Sequence, residues 1–506
     1  MKVFKSKVFL MFILFALLFV NYNYGIFVDS RGHFKSFQID SERLVLSSIL
    51  REKNNIKSKY GLCHFYTSDY NNYTYKTLLT NSEYYKNINR HKNMFIVSKN
   101  NYTENIYKEN NVVGFMNGDL FNIIKVNTYK DHFIEIVLDN EKKLSVEKHS
   151  PVSKIKVYDS HGNLLPFYSV APYLSQFGLQ GFLFSSILKN ISEKEAIQIM
   201  HVVCSFFTSL VLLLISIFIY KKYNFLMSAS FYSVFLLSPW IVAFARNAYW
   251  VEFTWFMPVL LGLMCSIYKT KTANILCIFS IFLFIFIKCL CGYEYISTIM
   301  MTTVSFLFFD LCSAMVKKDK SGLIRNIKLL SCVSIACLAG FIVAICIHAY
   351  LRGDGNIMVG LGNIYKQDAL RRLSGDPLNF PSLAQSLSAS VGTVLTRYFK
   401  FSTSVLFGLS RSTFFILISL PIAIFIYKVK HKEGIFFDIV MYLFFFMSSI
   451  SWFVIAKAHS YVHTHMNYVL WYFGFIQICI YIIAKDRYII YKFLYYIKSK
   501  IIGYLS

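Results

Sequence analysis

The chain returns repeatedly to apolar runs of about twenty residues, the length a helix needs to cross a hydrocarbon core about 30 Å thick. Inside lipid a backbone must satisfy its own hydrogen bonds, which leaves helices or closed barrels as the spanning forms. The runs lie at 8–24, 199–220, 225–244, 251–268, 273–290, 295–315, 329–350, 413–427, 435–456 and 468–484. Over 506 residues the chain is 56% hydrophobic and 16% charged, too apolar for an ordinary soluble domain. The expected fold is an α-helical polytopic membrane protein of about ten transmembrane helices, with a mixed α/β loop domain on the far side of the membrane. The first run is short enough for a signal peptide, but its exit, Asn21-Tyr22-Asn23-Tyr24, lacks the small-residue cleavage pattern and reads as an uncleaved anchor.

A net charge of +25 would suit nucleic acid if the cations formed one patch. They fall instead in alternate short loops, as the positive-inside rule requires, so no nucleic-acid partner is expected. Lys2, Lys5 and Lys7 precede the first run, Lys221 and Lys222 follow the second, and Lys269 and Lys271 follow the fourth. Lys317, Lys318, Lys320, Arg325 and Lys328 separate the sixth and seventh; Lys428, Lys430 and Lys432 separate the eighth and ninth; Lys485 and Arg487 follow the tenth. Both termini are then cytoplasmic.

The expected organisation follows. Residues 1–25 are the cytoplasmic start and first span, 26–198 a large outer domain, 199–350 spans two to seven, 351–412 a second outer loop, 413–484 the last three spans, and 485–506 a basic tail along the inner leaflet. In the outer domain, 133–138 and 154–158 alternate as strands do, and Asp159-Ser160-His161-Gly162-Asn163 reads as a turn. Sequons at Asn72, Asn101 and Asn190 fit chance in an Asn-rich chain as well as they fit glycosylation. In the second loop, Leu383, Leu387, Val391, Val394, Leu395 and Tyr398 recur at helical spacing and predict an amphipathic helix on the outer surface. Most of the 11 Cys sit in apolar runs, as small buried hydrophobes do.

Ionisable groups inside a membrane are costly, so their depth is informative. Glu252, Lys288, Glu294, His348, Lys457 and His459 all fall at the outer ends of runs, whereas a transporter places polar groups or broken helices near the midplane. Chemistry at the outer surface is therefore expected. Just past the first run stand Asp29, Asp40 and Glu42; a carboxylate there can act as general base towards a hydroxyl or as a metal ligand, although polar residues are ordinary in such a loop. In the hairpin 245–252, Arg246 suits a phosphate through its two-pronged guanidinium, or an ion pair with Glu252. The segment 457–467 holds Lys457, His459, His463 and His465. Its spacing matches no standard metal motif, so phosphate binding by Lys457 with His459 or His463 is preferred to zinc, against the plain alternative of a polar hairpin tip.

A short basic start, a first span, a large outer loop opening with acids, and many spans with basic outer hairpins together resemble the membrane glycosyltransferases of the GT-C superfamily. Pro172-Tyr173-Leu174-Ser175-Gln176-Phe177-Gly178-Leu179-Gln180-Gly181 looks like the interfacial segment before the second span in bacterial members, and 245–258 and 457–471 look like segments of polysaccharide enzymes. Within that superfamily the chain looks most like the serotype-converting O-antigen glucosyltransferases of enteric bacteria and their phages. The resemblance implies an undecaprenyl-phosphate-linked sugar donor, a lipopolysaccharide O-antigen or other surface-glycan acceptor, and transfer at the periplasmic face of the bacterial inner membrane. By position it puts the catalytic acid on Asp40, Glu42 or Asp29. Arg246, Lys288, Lys457, His459 and His463 would hold the donor phosphate, with Glu252, Glu294, Gln176, Arg371 and Arg372 as further site candidates. No nucleotide-binding glycine loop is present, and a divalent cation is the one cofactor this reading leaves room for. The alternatives are an O-antigen polymerase or ligase, and a transporter or flippase of lipid-linked glycan.

Overall fold

The computed structural model describes residues 2–28, 31–67, 93–98, 101–115, 118–129, 133–139, 156–165, 168–373, 375–380, 383–401, 403–409, 411–492 and 495. The chain divides into two compact units: Met1–Glu42 with Leu174–Gln180 and Ile191–Ser506, and Arg43–Tyr173 with Gly181–Asn190.

The first unit is a helical bundle. Among the described residues six helices are long and apolar enough to cross a membrane: Glu193–Lys222, Lys271–Cys291, Ile296–Val316, Lys320–Arg352, Thr413–Lys430 and Phe436–Ile455. Two bent pairs raise the number to as many as eight: Phe225–Leu237 with Pro239–Ala245, bent by 64°, and Thr464–Tyr472 with Phe475–Lys485, bent by 46°. Shorter apolar helices occupy Val8–Tyr24 and Phe253–Ile267. Every apolar run of the sequence is thus helical, and the protein is a multi-pass helical membrane protein with six to eight candidate spans. The outward face of Lys320–Arg352 exposes Ile324, Ile327, Ile335, Leu338, Ile342 and Ile347, a stripe suited to lipid and not to water.

Each bend has a local cause. Pro239 has no N–H to offer the carbonyl of Phe235, and Tyr22 of the first helix supplies the missing donor, its hydroxyl 3.0 Å from that oxygen. Asn21 Nδ2 likewise reaches Leu236 O at 2.7 Å, and Ser238 Oγ caps the new helix by accepting from Ile241 N at 3.2 Å. The second bend turns on Gly474, whose φ of +123° lies where glycine is favoured and where a Cβ would strike the Phe445 ring. Close helix contacts use small residues: a side chain at Gly262 would collide with the Thr303 carbonyl, bringing Phe253–Ile267 against Ile296–Val316.

The bundle ends differ in chemistry. At the end carrying the basic loops, Lys222 Nζ lies 2.6 and 2.7 Å from the Asp310 carboxylate. There too Lys428 bonds Asp486 at 3.1 Å, and Lys485 bonds Asp438 at 2.8 and 2.9 Å. The opposite end carries the candidate site.

In the segment 351–412 the expected single amphipathic helix is two, Ala384–Ser388 and Val391–Lys400. The chain breaks at Ala389 because Ser390 caps the second helix, accepting from Thr393 N at 3.0 Å. Val394 and Tyr398 are buried, as the spacing requires.

The second unit holds a six-stranded antiparallel sheet ordered Met94–Ser98, Phe133–Leu138, Leu120–Tyr129, Val112–Gly114, Lys156–Tyr158 and Leu164–Leu165. A second pair joins Cys63–Thr67 to Tyr168–Pro172. Alternate strand residues Ile134, Ile136 and Leu138 pack with Phe95, Val113 and Val157 to form its core. The predicted turn is present: Asp159 accepts from the backbone N–H groups of His161 and Asn163 at 2.9 and 2.8 Å. These bonds, with one from the Asn163 side chain, hold the Asp159 carboxyl below the ordinary range. The sequons at Asn72 and the site candidate Asp29 lie outside the described residues.

Candidate functional site

The site begins with the segment Leu174–Gln180, which threads the helix ends within the first unit. Gln180 Nε2 bonds the carbonyls of Tyr249 and Cys291, each at 2.9 Å, and Gly178 N bonds Leu290 O at 2.9 Å. His348 and Arg352, one turn apart near the end of Lys320–Arg352, both donate or lie within hydrogen-bonding reach of Leu174 O. Gln176 is buried; its Oε1 accepts from Tyr249 at 3.4 Å, while its Nε2 has no partner. A side chain at Gly292 would run into both Gln176 Oε1 and Glu294 Oε2, which places these two groups beside one another.

The early acids have opposite surroundings. Glu42 takes His201 Nε2 between its two oxygens at 3.1 and 3.0 Å and accepts from the Ala248 N–H at 3.0 Å. Asp40, one half-turn earlier on the same helix, is exposed and among the described residues makes no hydrogen bond or ion pair. Its charge acts on His463 and His465.

Those histidines, with His459, form a group of neighbouring, tilted rings. Ring centroids are 4.5 Å apart for His459 and His463 and 5.7 Å for His463 and His465. The group is held from behind by Asn467, whose Nδ2 meets His459 Nδ1 at 3.5 Å and Ser460 Oγ at 3.3 Å, and whose Oδ1 accepts from Tyr295 at 3.0 Å. Arg372 NH2 lies 3.9 Å from Glu294 Oε1, and its charge acts on His459 and His463. Arg371, 40% exposed, sits 3.4 Å from both Asp368 and Ser175. Asp368 itself is buried against Arg352 at 2.8 Å. Burial, with His463, Arg372, Arg371 and His465 around it, holds His459 well below its ordinary range. Burial and then His465 and Arg372 push His463 down to about 4, against the opposite pull of Glu294 and Asp40.

The other predicted cations are committed to main-chain carbonyls. Lys288, buried, donates to Gly292 O at 2.6 Å and so closes the end of its own helix. Lys457 donates to Leu387 O and Ala389 O at 3.0 and 2.9 Å, tying the second outer loop to the histidine segment. Arg246 bonds Phe34 O at 3.0 Å and Asn23 O at 3.4 Å and lies 3.9 Å over the Phe34 ring. It does not pair with Glu252, which is fully buried with neither oxygen bonded. Among the described residues no three His, Cys, Asp or Glu side chains are grouped as a metal ion requires.

Sequence reasoning found the histidine segment from its density of imidazoles, but not His201 or Asn467, which look ordinary in their helices and matter through distant partners. Comparison of the chain with protein-family models, with curated proteins and with solved structures finds no match.

Proposed function

We propose that the protein is a membrane glycosyltransferase. It moves a sugar, in our reading glucose, from an undecaprenyl-phosphate-linked donor to an O-antigen or related surface glycan at the periplasmic face of the bacterial inner membrane. The observation that supports this most is an exposed carboxylate, Asp40, unpartnered among the described residues and acting on His463 and His465 of a cluster of three histidines and two arginines at the end of the bundle away from the basic loops. A base and an anion-stabilising group are the two things such a transfer needs.

In this scheme the acceptor hydroxyl approaches Asp40, which takes its proton as the oxygen attacks the anomeric carbon. The bond from that carbon to the donor phosphate breaks, and the leaving lipid phosphate carries one more negative charge than it had in the donor. Arg371, Arg372 and the histidines meet that charge. Glu42 positions the hairpin at Ala248 through its fixed bonds. The ten-span topology fits if Val8–Tyr24 and Phe253–Ile267 also cross, with both termini on the cytoplasmic side.

The experiment is the structure of surface lipopolysaccharide from a bacterial host with and without this gene. A new side-branch sugar that vanishes with Asp40→Ala supports the transferase; altered chain length with no new sugar favours a polymerase.

A second reading has one observation in its favour. The two broken spans, at Ser238-Pro239 and Phe473-Gly474, are a form seen in transporters, where unwound backbone faces a substrate path. A transporter would move intact lipid-linked glycan across a vesicle without forming a glycosidic bond.

A further inference from the structure

The histidine segment lies in the field of two arginines, Arg371 and Arg372. Three imidazoles lie in sequence with tilted rings, two arginines act on them, and among the described residues Asp40 and Glu294 oppose these charges, with Asp368 paired to Arg371. His33 also acts on His465. The helices Ala384–Ser388 and Val391–Lys400 packed on the segment carry no acid: Lys457 is engaged with the carbonyls of Leu387 and Ala389, and Arg397 lies 4.2 Å over the Tyr461 ring. His463 Nδ1 is inaccessible and unbonded, a nitrogen able to accept a proton but with nothing to stabilise it.

We propose that His459, His463 and His465, with Arg371 and Arg372, form a phosphate-class anion site that takes up a proton as the anion enters. The proposal rests on the donor-phosphate reading above and adds its regulation. The physics is a thermodynamic cycle. With the site empty, a proton on His463 is opposed first by burial and then by His465 and Arg372, and the ring stays neutral at pH 7. A bound dianion reverses the sign of the local potential, so proton and anion each raise the other's affinity by the same factor. The same cycle applies during transfer, because the donor phosphate gains a negative charge as the sugar leaves and the site can answer with a proton. Product phosphate then binds more tightly in acid and is released more readily as pH rises.

The test uses the full chain in detergent and sodium sulfate, an anion whose charge does not change between pH 6 and pH 8. Isothermal titration in two buffers of different ionisation enthalpy counts protons taken up per sulfate. The expected result is net uptake at pH 7 and binding about tenfold tighter at pH 6 than at pH 8, the ratio that an average uptake of about half a proton per sulfate across those two pH units gives. His459→Gln with His463→Gln should abolish the uptake, Arg372→Gln should weaken binding at every pH, and the exposed His465→Gln should reduce uptake in a protein whose melting point is unchanged. Equal sulfate affinity at pH 6 and pH 8, or uptake that persists in the double variant, overturns the proposal. So does absence of binding by both sulfate and geranyl phosphate. Geranyl phosphate binding more than tenfold tighter than sulfate identifies a lipid phosphate as the ligand; equal affinities identify a free anion. Proton-linked binding in a protein that transfers no sugar would remove the transferase and leave the anion site standing.

Discussion

Glu42 and His201 are joined through both carboxylate oxygens, at 3.1 and 3.0 Å, which fixes the start of the Ile39–Lys53 helix to the Glu193–Lys222 helix. Asp40 has no such tie. Glu42→Ala should therefore lower stability by about 1–3 kcal/mol, the cost of leaving a buried partner unsatisfied. Asp40→Ala should stay within about 0.5 kcal/mol of wild type, as exposed substitutions do. Thermal melts of the two variants in one detergent check the contrast, and equal losses would contradict it.

Tyr22 takes over the hydrogen bond that Pro239 cannot make. Tyr22→Phe should cost about 1–2 kcal/mol, since it leaves the Phe235 carbonyl bare in the bundle. In Pro239→Ala the restored N–H competes for the same acceptor, so the Tyr22→Phe penalty should shrink. A double-mutant cycle on melting points measures the coupling; strict additivity would show that the hydroxyl does not compensate for the proline.

Lys428 lies between two acids, 3.1 Å from Asp486 and 3.7 Å from Asp438, all three buried. Lys428→Met should destabilise by about 3–5 kcal/mol because it strands the buried Asp486 carboxylate, whereas Asp438 keeps Lys485. Adding Asp486→Asn should recover part of the loss, while the exposed Lys432→Met should change nothing measurable. Denaturation in detergent reads all three.

His463 gives the pH dependence. Its folded value is held near 4, below the ordinary 6.5, so between these values the unfolded chain binds more protons than the folded one. Stability then falls as pH drops from 6.5 towards 4, by no more than about 1.4 kcal/mol per pH unit for one proton and less after solvent screening. Above pH 6.5 the residue contributes no slope. His463→Gln should flatten the melting-temperature curve in that acid window alone, and an unchanged slope would contradict the assignment.

The spans were legible because lipid imposes one rule, a self-satisfied helix about twenty residues long. Period and hydropathy carry no information on where a helix breaks: the Phe473-Gly474 bend depends on the Phe445 ring from a different helix. The amphipathic stripe at 383–398 was visible, while its division was not, since Lys457 holds the carbonyls at the break from far along the chain. Cations were equally easy to see and hard to interpret. Lys288, Lys457 and Arg246 look like anion ligands by residue type, yet their donors face backbone carbonyls that only the folded chain brings near. Arg372 and Glu294 stand 78 residues apart, and no spacing rule links them.

The central claim is tested most directly by transfer of labelled sugar from a polyprenyl-phosphate donor to a surface-glycan acceptor by the purified full chain, with Asp40→Asn and Glu42→Gln compared at matched folding. The account predicts transfer by wild type and a loss of at least about a hundredfold in Asp40→Asn, the scale of general-base catalysis. Glu42→Gln should retain more of the rate, and what it loses should follow its loss of stability. Wild-type transfer that survives Asp40→Asn undiminished would contradict the role of that carboxylate, and donor crossing vesicles intact with no sugar transferred would contradict the enzyme itself.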